Sequence, residues 1–300
     1  MRRFLKVSLI LLALLGGLIA VGAYFLRVKE HRNVVYSRIN GQNLQVDIYE
    51  PANRFSDPRP AVLLIHGGAW ATGSKDEFRE PARNLARLGY VAIAVQYRLV
   101  TETTNPWPAQ LDDCQRAVRW VRAHAKDYHV DPNRIGALGG SAGGHLAACL
   151  GTMETRDNSD PELARYSSKV TCVVNLCGPS DLSDDLAPKV AEGAWTNERI
   201  RILLGHSAKE RPDIARAASP LYCVNAQSAP TLICHGRQDP IVPLDQSEWF
   251  VEALQKTGVE AKLLVHNGGH GFNDSEAILQ FLKETRTFLD RHLSGENGQR

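Results

Sequence analysis

Short apolar runs alternate with segments of helical spacing along most of this 300-residue chain. Residues 61–65 (AVLLI) and 90–95 (YVAIAV) have the length and unbroken hydrophobicity of strands that are buried on both faces. Residues 109–126 instead repeat apolar side chains at the spacing of one helix face. The other predicted strands are residues 134–138, 170–176, 231–234 and 262–265, and the other predicted helices are residues 77–88, 141–150, 246–256 and 276–293. This alternation predicts an α/β fold, with a mostly parallel central sheet and helices on both faces.

Two segments depart from the alternation. Residues 34–39 and 44–49 flank an Asn-Gly pair, which is typical of a β-hairpin. Residues 180–221 are rich in Asp, Pro and Ala, with a short helical piece around residues 198–204. A long insertion between strands predicts a short lid or a wall of a binding site.

The N-terminus has the pattern of a targeting segment. Residues 1–6 are basic, and residues 7–26 follow without a charged side chain. About 20 apolar residues suffice to span a bilayer, whereas small residues up to Ala23 suit cleavage of a secretory signal. Both alternatives predict an exported protein, either secreted or membrane-anchored. We expect residues 1–32 to form this segment plus a charged tether over 27–32, and residues 33–300 to form one domain.

Charge and composition exclude several classes of protein. The chain is 43% hydrophobic and 23% charged, unlike a disordered or fibrous protein. Its net charge is +2, and residues 1–32 contain six basic residues and one acidic residue, which leaves −3 for the remainder. A body of that charge shows no basic stripe, so we expect no nucleic-acid partner.

A glycine-rich motif carries the first chemical signal. Residues 139–143 (GGSAG) match G-x-S-x-G, and they follow a predicted strand and open a predicted helix. A serine on such a turn presents its hydroxyl above the sheet, which makes Ser141 a candidate nucleophile. A glycine-rich helix start used only for packing is the alternative.

A second glycine pair follows the strand at residues 61–65. Residues 66–70 (HGGAW) expose backbone N–H groups that can face an oxyanion. We expect the N–H groups of Gly68, Ala69 and Ala142 to form an oxyanion hole. Trp70 and His66 are candidate substrate-binding residues, although packing for Trp70 and backbone orientation for His66 are alternatives.

Two further candidates follow later strands. Asp239 comes shortly after residues 231–234, and His270 comes shortly after residues 262–265. In open α/β sheets, active sites collect beyond the carboxyl ends of the strands. His270 would take the proton of Ser141, and Asp239 would hold the imidazole in its reactive tautomer. The chain order Ser, Asp, His is that of α/β-hydrolases.

Cofactor, metal and disulfide signals are weak. The chain has no GxxxxGK[ST] motif, no GxGxxG after a strand and no HExxH, so we expect no cofactor and no metal. His266 and His270 are spaced like a metal pair, but they fall at a strand end.

The six cysteines lie mostly in apolar runs without a CxxC pair, which favours free buried thiols over disulfides.

Taken together, the motifs resemble those of the carboxylesterase group of α/β-hydrolases, in the branch with HGG-x-W. The similarity extends over residues 34–293 and is carried by the matching stretches HGGAW (66–70), YRL (97–99), PAQLDD (108–113), GGSAGGHLA (140–148), HGRQDPIVP (235–243) and GGHGF (268–272). This branch includes acetyl-xylan and feruloyl-type esterases and kynurenine formamidases. The resemblance implies Ser141 as nucleophile, Asp239 as acid, His270 as base and an oxyanion hole at Gly68, Ala69 and Ala142.

The resemblance also implies an activity. We expect a serine esterase that acts on short acyl esters, among them acetyl groups on polysaccharide. An aryl-formamidase or other amide hydrolase is one alternative, and a non-catalytic, membrane-tethered binding protein is another. Arg237 and Gln238 stand where the family often has an acidic residue, and residues 154–168 and 181–215 match no family pattern. The oligomeric state is not indicated.

Overall fold

In a computed structural model, the described residues are 27–52, 58–185, 189–272 and 274–293, and they build one eight-stranded sheet with helices around it. The strands are β1 (Val28–Ile39), β2 (Gln42–Pro51), β3 (Arg59–Ile65), β4 (Val91–Val95), β5 (Val130–Gly140), β6 (Cys172–Leu176), β7 (Thr231–Gly236) and β8 (Ala261–His266). The helices are α1 (Arg79–Arg87), α2 (Ala109–Ala123), α3 (Ala142–Thr152), α4 (Gly193–Leu204), α5 (Pro212–Ala217), α6 (Asp245–Lys256) and α7 (Ser275–Leu293), with 3₁₀ turns at Lys75–Phe78 and Pro220–Cys223.

The strand order is β1-β2-β4-β3-β5-β6-β7-β8. Strand β2 pairs antiparallel with β1 and β4, and every other neighbouring pair is parallel. The β1–β2 hairpin turns at Asn40 and Gly41, whose φ angles of 50° and 78° are those of a type I′ turn. The predictions of a mostly parallel sheet and of this hairpin are confirmed.

Side-chain alternation along β3 divides the interior into two layers. Leu63 and Ile65 pack with α2 and α3 on one face of the sheet. Val62 and Leu64 pack with α1 and α7 on the other face. All four side chains are fully buried, which explains why this strand is hydrophobic without interruption. The predicted placement of helices on both faces is confirmed.

The first strand corrects the sequence analysis. The prediction of a tether is wrong for residues 28–32, which form the first part of β1, and residues 28–31 pair with β2. His31 Nε2 lies 2.6 Å from Glu50 Oε1, and Arg32 Nε lies 2.6 Å from Asp47 Oδ2. Both carboxylates are buried. The charges therefore belong to the folded domain, which begins before residue 33.

The predicted targeting segment, residues 1–26, lies outside the described residues. Among helices in the described ranges, none is both long and apolar enough to cross a membrane. All six cysteines fall within these ranges and are free, and five of them are buried. The prediction of free thiols is confirmed.

The described part of the insertion, residues 180–185 and 189–221, forms one wall above the sheet. It contains α4 and α5, so the helical piece predicted near 198–204 is the second half of a longer helix. The N–H of Trp107 donates to the carbonyl of Leu203 at 2.7 Å, and the N–H of Glu192 donates to that of Pro240 at 2.6 Å. These bonds fix both ends of α4 against loops that follow other strands.

Candidate active site

Ser141 occupies a sharp turn between β5 and α3. Its φ of 55° and ψ of −122° are unusual for a residue with a side chain. The N–H of Ser141 donates to the carbonyl of Leu176 at 2.8 Å, which holds the turn. A Cβ at Gly143 would lie 2.0 Å from the carbonyl oxygen of Ile65, and one at Gly139 would lie 2.2 Å from that of Gly143. Only glycine permits this close packing, as the motif predicts.

Ser141, His270 and Asp239 form one hydrogen-bonded chain. His270 Nε2 lies 2.8 Å from Ser141 Oγ, and His270 Nδ1 lies 2.7 Å from Asp239 Oδ2. The three residues follow β5, β8 and β7, whose parallel carboxyl ends share one edge of the sheet. When Nδ1–H donates to the carboxylate, Nε2 is left to accept the hydroxyl proton of Ser141. Such an arrangement makes a serine hydroxyl nucleophilic.

Asp239 is fixed by further donors. Its Oδ1 accepts the N–H groups of Ile241 at 2.8 Å and Val242 at 2.9 Å. Its Oδ2 lies 3.1 Å from Nε2 of the fully buried His235. His235 Nδ1 lies 2.6 Å from Ser247 Oγ, so a proton donated by that hydroxyl leaves Nε2–H to the carbonyl oxygen of Val242 at 3.0 Å and to the neighbouring carboxylate. The sequence analysis assigned His235 no role, and its one signal was its place at the end of a strand four residues before Asp239.

Burial and charge act in opposite directions on the ionisable groups. Burial raises the pKa of Asp239, but hydrogen bonds from His235 and His270 lower this pKa by more, to well below its ordinary value. Burial lowers the pKa of His270, but the hydrogen bond to Asp239 and the contact with Cys177 raise it by more, to above its ordinary value of 6.5. The site therefore favours an imidazolium next to a carboxylate, the pair that forms when Ser141 loses its proton.

The three residues predicted for the oxyanion hole lie around Ser141. Gly68 and Ala69 have φ angles of 97° and 49°, and the carbonyl of Gly68 accepts the N–H of Thr72 at 2.9 Å. Ala142 is the first residue of α3, where backbone N–H groups have no partner within the helix. Gly68, Ala69 and Ala142 line the same pocket as Ser141.

Trp70 fixes this loop to the rest of the molecule. Its ring lines the pocket but is only 2% exposed. Nε1–H donates to Nδ1 of His145 in α3 at 3.2 Å, and Nε2 of His145 lies 2.8 Å from the carbonyl oxygen of Ala218 in the insertion. Burial lowers the pKa of His145 to about 4, so the ring is neutral. A neutral ring can accept the Trp70 N–H at Nδ1 and donate from Nε2 to the carbonyl of Ala218. A contact between Trp70 and substrate stays a prediction.

His66 lies away from the pocket, which corrects its prediction as a substrate-binding residue. It is 1% exposed and does not line the cavity that contains Ser141. Its ring stacks on Tyr97 with 4.2 Å between centroids, and its Nδ1 lies 2.9 Å from the carbonyl oxygen of Gly67. Burial lowers its pKa. The structure favours the alternative that His66 orients the backbone of the glycine loop.

The pocket is a cavity of about 440 Å³ lined by Ser141 and His270. Helix α4 contributes Trp195, Thr196 and Arg199 to its wall. The indole of Trp195 is 43% exposed. Arg199 is a pocket residue that sequence reasoning missed, since nothing in the pattern around it distinguishes it from a solvated arginine.

Two of the three potential metal ligands in the described ranges belong to the hydrogen-bonded chain with Ser141. Cys177, Asp239 and His270 offer one ligand atom each, and these atoms lie within 4.8 Å of one another. Asp239 and His270 already bond to each other and to Ser141. The cluster is therefore explained without a metal ion, and the absence of a metal stays a prediction.

The sheet, the turn at Ser141 and the two partners from later strands define the α/β-hydrolase class. Within that class, the chain belongs to the BD-FAE family, whose model matches residues 46–254. The carboxylesterase-like resemblance inferred from the motifs is therefore confirmed at the level of the family.

Two curated relatives come from Mycobacterium tuberculosis. Esterase LipC is 30% identical over 82% of this chain and 61% of its own length. Probable carboxylic ester hydrolase LipM is 31% identical over 88% of this chain and 62% of its own length. The chain thus spans less than two thirds of the length of these relatives.

Solved structures match over almost their whole length. A truncated carbohydrate esterase from gut microbiota superposes with a TM-score of 0.76 at 25% identity, covering 89% of this chain and 97% of the other. The butyrate-bound esterase Est2 of Thermogutta terrifontis superposes with a TM-score of 0.74 at 31% identity, covering 90% and 96%. An acetyl ester-xyloside bifunctional hydrolase of Caldicellulosiruptor lactoaceticus superposes with a TM-score of 0.70 at 29% identity, covering 84% and 89%. These matches confirm the predicted fold.

Proposed function

We propose that this protein is a serine carboxylic-ester hydrolase. The observation that carries the proposal is the hydrogen-bonded chain from Ser141 Oγ through His270 to Asp239, placed in a pocket beside Gly68 and Ala142. The esterases among its relatives and structural neighbours support the same activity.

In the first half of the reaction, Ser141 Oγ attacks the ester carbonyl as His270 Nε2 takes the hydroxyl proton. Asp239 stabilises the resulting imidazolium, which then protonates the departing alcohol. The negative charge on the carbonyl oxygen meets the N–H groups of Gly68, Ala69 and Ala142. An oxyanion donor of this kind contributes about 3–4 kcal/mol to the transition state. The product is an acyl-enzyme on Ser141.

In the second half, water replaces the alcohol. His270 removes a proton from the water, which attacks the acyl carbonyl, and then returns the proton to Ser141 Oγ as the acid leaves. The same oxyanion donors act in both halves, so one pocket serves acylation and deacylation. No step requires a cofactor.

The proposed substrates are short acyl esters, including acetyl groups on polysaccharide. A neighbouring structure holds butyrate and another holds propionate, and two neighbours are named for carbohydrate or acetyl ester-xyloside hydrolysis. The cavity of about 440 Å³ has room for a short acyl group and part of an alcohol. Small molecules or polysaccharide chains would be the partners, and we propose no nucleic-acid partner.

The test compares substrates on the purified full chain in mild detergent. p-Nitrophenyl acetate, butyrate and octanoate are assayed beside acetylated xylan and N-formylkynurenine. We expect turnover that is highest for the short esters and that falls by several orders of magnitude in Ser141→Ala, because the nucleophile is lost. The matched control is Ser159→Ala, an exposed serine outside the pocket.

Three outcomes would oppose the proposal. Equal activity in Ser141→Ala would exclude Ser141 as nucleophile. Preference for N-formylkynurenine over every ester would favour the formamidase alternative. Folded protein that turns over none of the substrates and resists a fluorophosphonate would favour a non-catalytic binding protein.

A further inference from the structure

We propose that Arg199 forms an anion subsite in the active-site pocket, and that the preferred esters carry a carboxylate on their acyl or alcohol part. This inference rests on the proposed function, because it names a substrate class for the same pocket. It arises from the charge inside the pocket rather than from any of the sequence motifs.

Arg199 is a half-buried cation on the pocket wall. It projects from α4 and lines the cavity together with Ser141 and His270. Its Nε is buried and has no hydrogen-bond partner among the described residues. An arginine side chain stays ionised at every pH at which the protein is folded. A buried donor on a charged group without a partner is costly, which points to a partner that arrives with the ligand.

The pocket offers that charge no counterion. Its described lining residues include no carboxylate, and apart from Arg199 their one ionisable side chain is His270. Asp239 lies nearby, but its oxygens are engaged by His270 and by backbone N–H groups. Glu198 is next to Arg199 in the chain, but its carboxylate bonds with Arg201.

Arg201, two residues further along α4, shows the contrast. Its guanidinium lies 2.8 Å from Glu198 Oε1 and 3.1 Å from Glu102 Oε2, on the exposed side of the helix. That arginine is neutralised by the protein and takes no part in the pocket lining. The same short helix therefore carries one arginine outside the pocket that forms ion pairs with two carboxylates, and one arginine inside the pocket that feels Glu198 only at a distance and bonds to no carboxylate among the described residues.

Trp195 helps to hold the guanidinium of Arg199. Arg199 Cζ lies 5.3 Å from the centroid of the Trp195 ring, within the range of a cation–π contact. This contact restricts the guanidinium without using its N–H donors, which remain available to a carboxylate in a two-pronged hydrogen bond. The exposed indole also offers a flat apolar surface to the rest of the ligand.

The test measures charge preference with paired esters of nearly equal shape. 4-Acetoxybenzoate carries a carboxylate on its alcohol part, and 4-acetoxybenzamide has a neutral amide in the same position. Methyl hydrogen succinate carries a carboxylate on its acyl part, and methyl succinamate has the neutral amide there. For each pair, the ratio of kcat/KM for the anion to that for the amide is determined. We expect this ratio to exceed one for at least one pair. In Arg199→Gln the same ratio should fall by about tenfold or more, which is the loss expected when a hydrogen bond to a charged group is removed.

Two further variants separate charge from folding. Arg199→Lys retains the charge without the fork, so its ratio should lie between those of the wild type and Arg199→Gln. Arg201→Gln removes an arginine from the same helix outside the pocket, and its ratio should equal that of the wild type. Unchanged ratios in Arg199→Gln for both pairs, with neutral esters still hydrolysed, would overturn the subsite while leaving the esterase intact.

A binding measurement keeps the subsite testable even if no ester is hydrolysed. Ser141→Ala protein is titrated with 4-hydroxybenzoate, 4-hydroxybenzamide, succinate and succinamide, and binding is followed by calorimetry. We expect at least one anion to bind about tenfold more tightly than its amide, and this preference should disappear when Arg199→Gln is added. Equal binding of anions and amides would overturn the subsite, whereas loss of turnover alone would count only against the esterase.

Discussion

At the scale of single residues, Asp239 organises the site. Its two oxygens meet four donors: the N–H groups of Ile241 and Val242, and the rings of His235 and His270. This number of donors holds the carboxylate ionised despite burial and lowers its pKa. A fixed negative charge next to Nδ1 then makes His270 a stronger base towards Ser141. The basicity of His270 is therefore set by the loop around Asp239.

The first prediction concerns the pH dependence of activity. Only neutral His270 can accept the proton of Ser141, so kcat/KM should rise with pH as His270 is deprotonated. Because the Asp239 carboxylate raises the pKa of His270 despite the lowering by burial, the midpoint of this rise should lie above 6.5. The measurement is kcat/KM for p-nitrophenyl acetate between pH 5 and pH 10.

Asp239→Asn provides the comparison for this profile. The substitution removes the charge that raises the pKa of His270, so the midpoint should shift to lower pH. Activity at the plateau should also fall, by a factor on the order of 10⁴ if the site behaves as a serine protease triad does. A midpoint that stays in place in Asp239→Asn would mean that another group controls the acid side of the profile.

The sequence predicts the hydrogen-bonded triad, but not the residues that orient or surround it. Ser141, Asp239 and His270 each follow a recognisable apolar strand, and parallel strands place such residues at one edge. His235 and Arg199 act through contacts that depend on the depth of burial and on the neighbours of α4. His66 was misjudged for the same reason, because its position beside the glycines does not reveal on which side of the loop its ring is buried.

At the scale of elements, helix α2 is attached to the preceding loop by a buried ion pair. Arg98 Nε and Nη2 donate to Asp113 Oδ2 and Oδ1, both at 2.8 Å, and the N–H of Arg98 donates to Oδ2 at 2.9 Å. Asp113 is fully buried, whereas Arg98 is half-buried. The pair fixes the start of the loop that leads to Trp107, which itself bonds to the carbonyl of Leu203 at the end of α4. It therefore supports the wall of the pocket indirectly.

The second prediction tests this ion pair. Asp113→Asn leaves the Arg98 guanidinium in a low-dielectric site without its counterion, so the free energy of unfolding should decrease by about 3–5 kcal/mol. Urea unfolding followed by tryptophan fluorescence measures the change. The matched control is Asp131→Asn, which removes a partly exposed partner of Arg134 at 2.8 Å and should cost less than about 1 kcal/mol. Equal losses in both variants would contradict the assigned role of Asp113.

Strand β1 shows where prediction of elements from the sequence fails. Most helices and strands were predicted because their hydrophobic periodicity survives in the sequence. Residues 28–32 carry Lys29, Glu30, His31 and Arg32, a charged run that is typical of a solvated tether. Their stability in the sheet depends on Asp47 and Glu50 in β2 and on Arg83 in α1, which pairs with Glu30 at 2.6 Å. Pairing between distant charges leaves no periodic signal.

At the scale of the whole molecule, the sheet topology brings the site together. The loops after β3, β5, β7 and β8 supply the glycine loop, Ser141, Asp239 and His270, and all of these strands run in parallel. The insertion that contains α4 closes the same edge. The antiparallel strands β1 and β2 lie at the far edge of the sheet, where they contribute to the hydrophobic layers and not to the pocket.

The third prediction concerns export, which we propose from residues 7–26 alone. An apolar stretch of this length reaches across a bilayer. Since β1 begins at Val28, a retained segment would leave only Arg27 between its last apolar residue and the sheet. An anchored domain would then lie against the membrane surface without a tether. A segment cleaved after Ala23 would instead release a chain that begins at Tyr24.

Fractionation and mass spectrometry of the expressed full chain distinguish these outcomes. We expect the protein outside the cytoplasm, either in membranes that withstand an alkaline carbonate wash or as a soluble chain shortened at its N-terminus. The control is a chain that begins at Arg27, which keeps β1 and its ion pairs but lacks the apolar segment, and which should remain in the cytoplasm. Full-length protein recovered uncleaved in the cytoplasm would contradict export. Because Lys29, His31 and Arg32 pair with buried carboxylates, a truncation at residue 33 would also destabilise the domain and could not serve as this control.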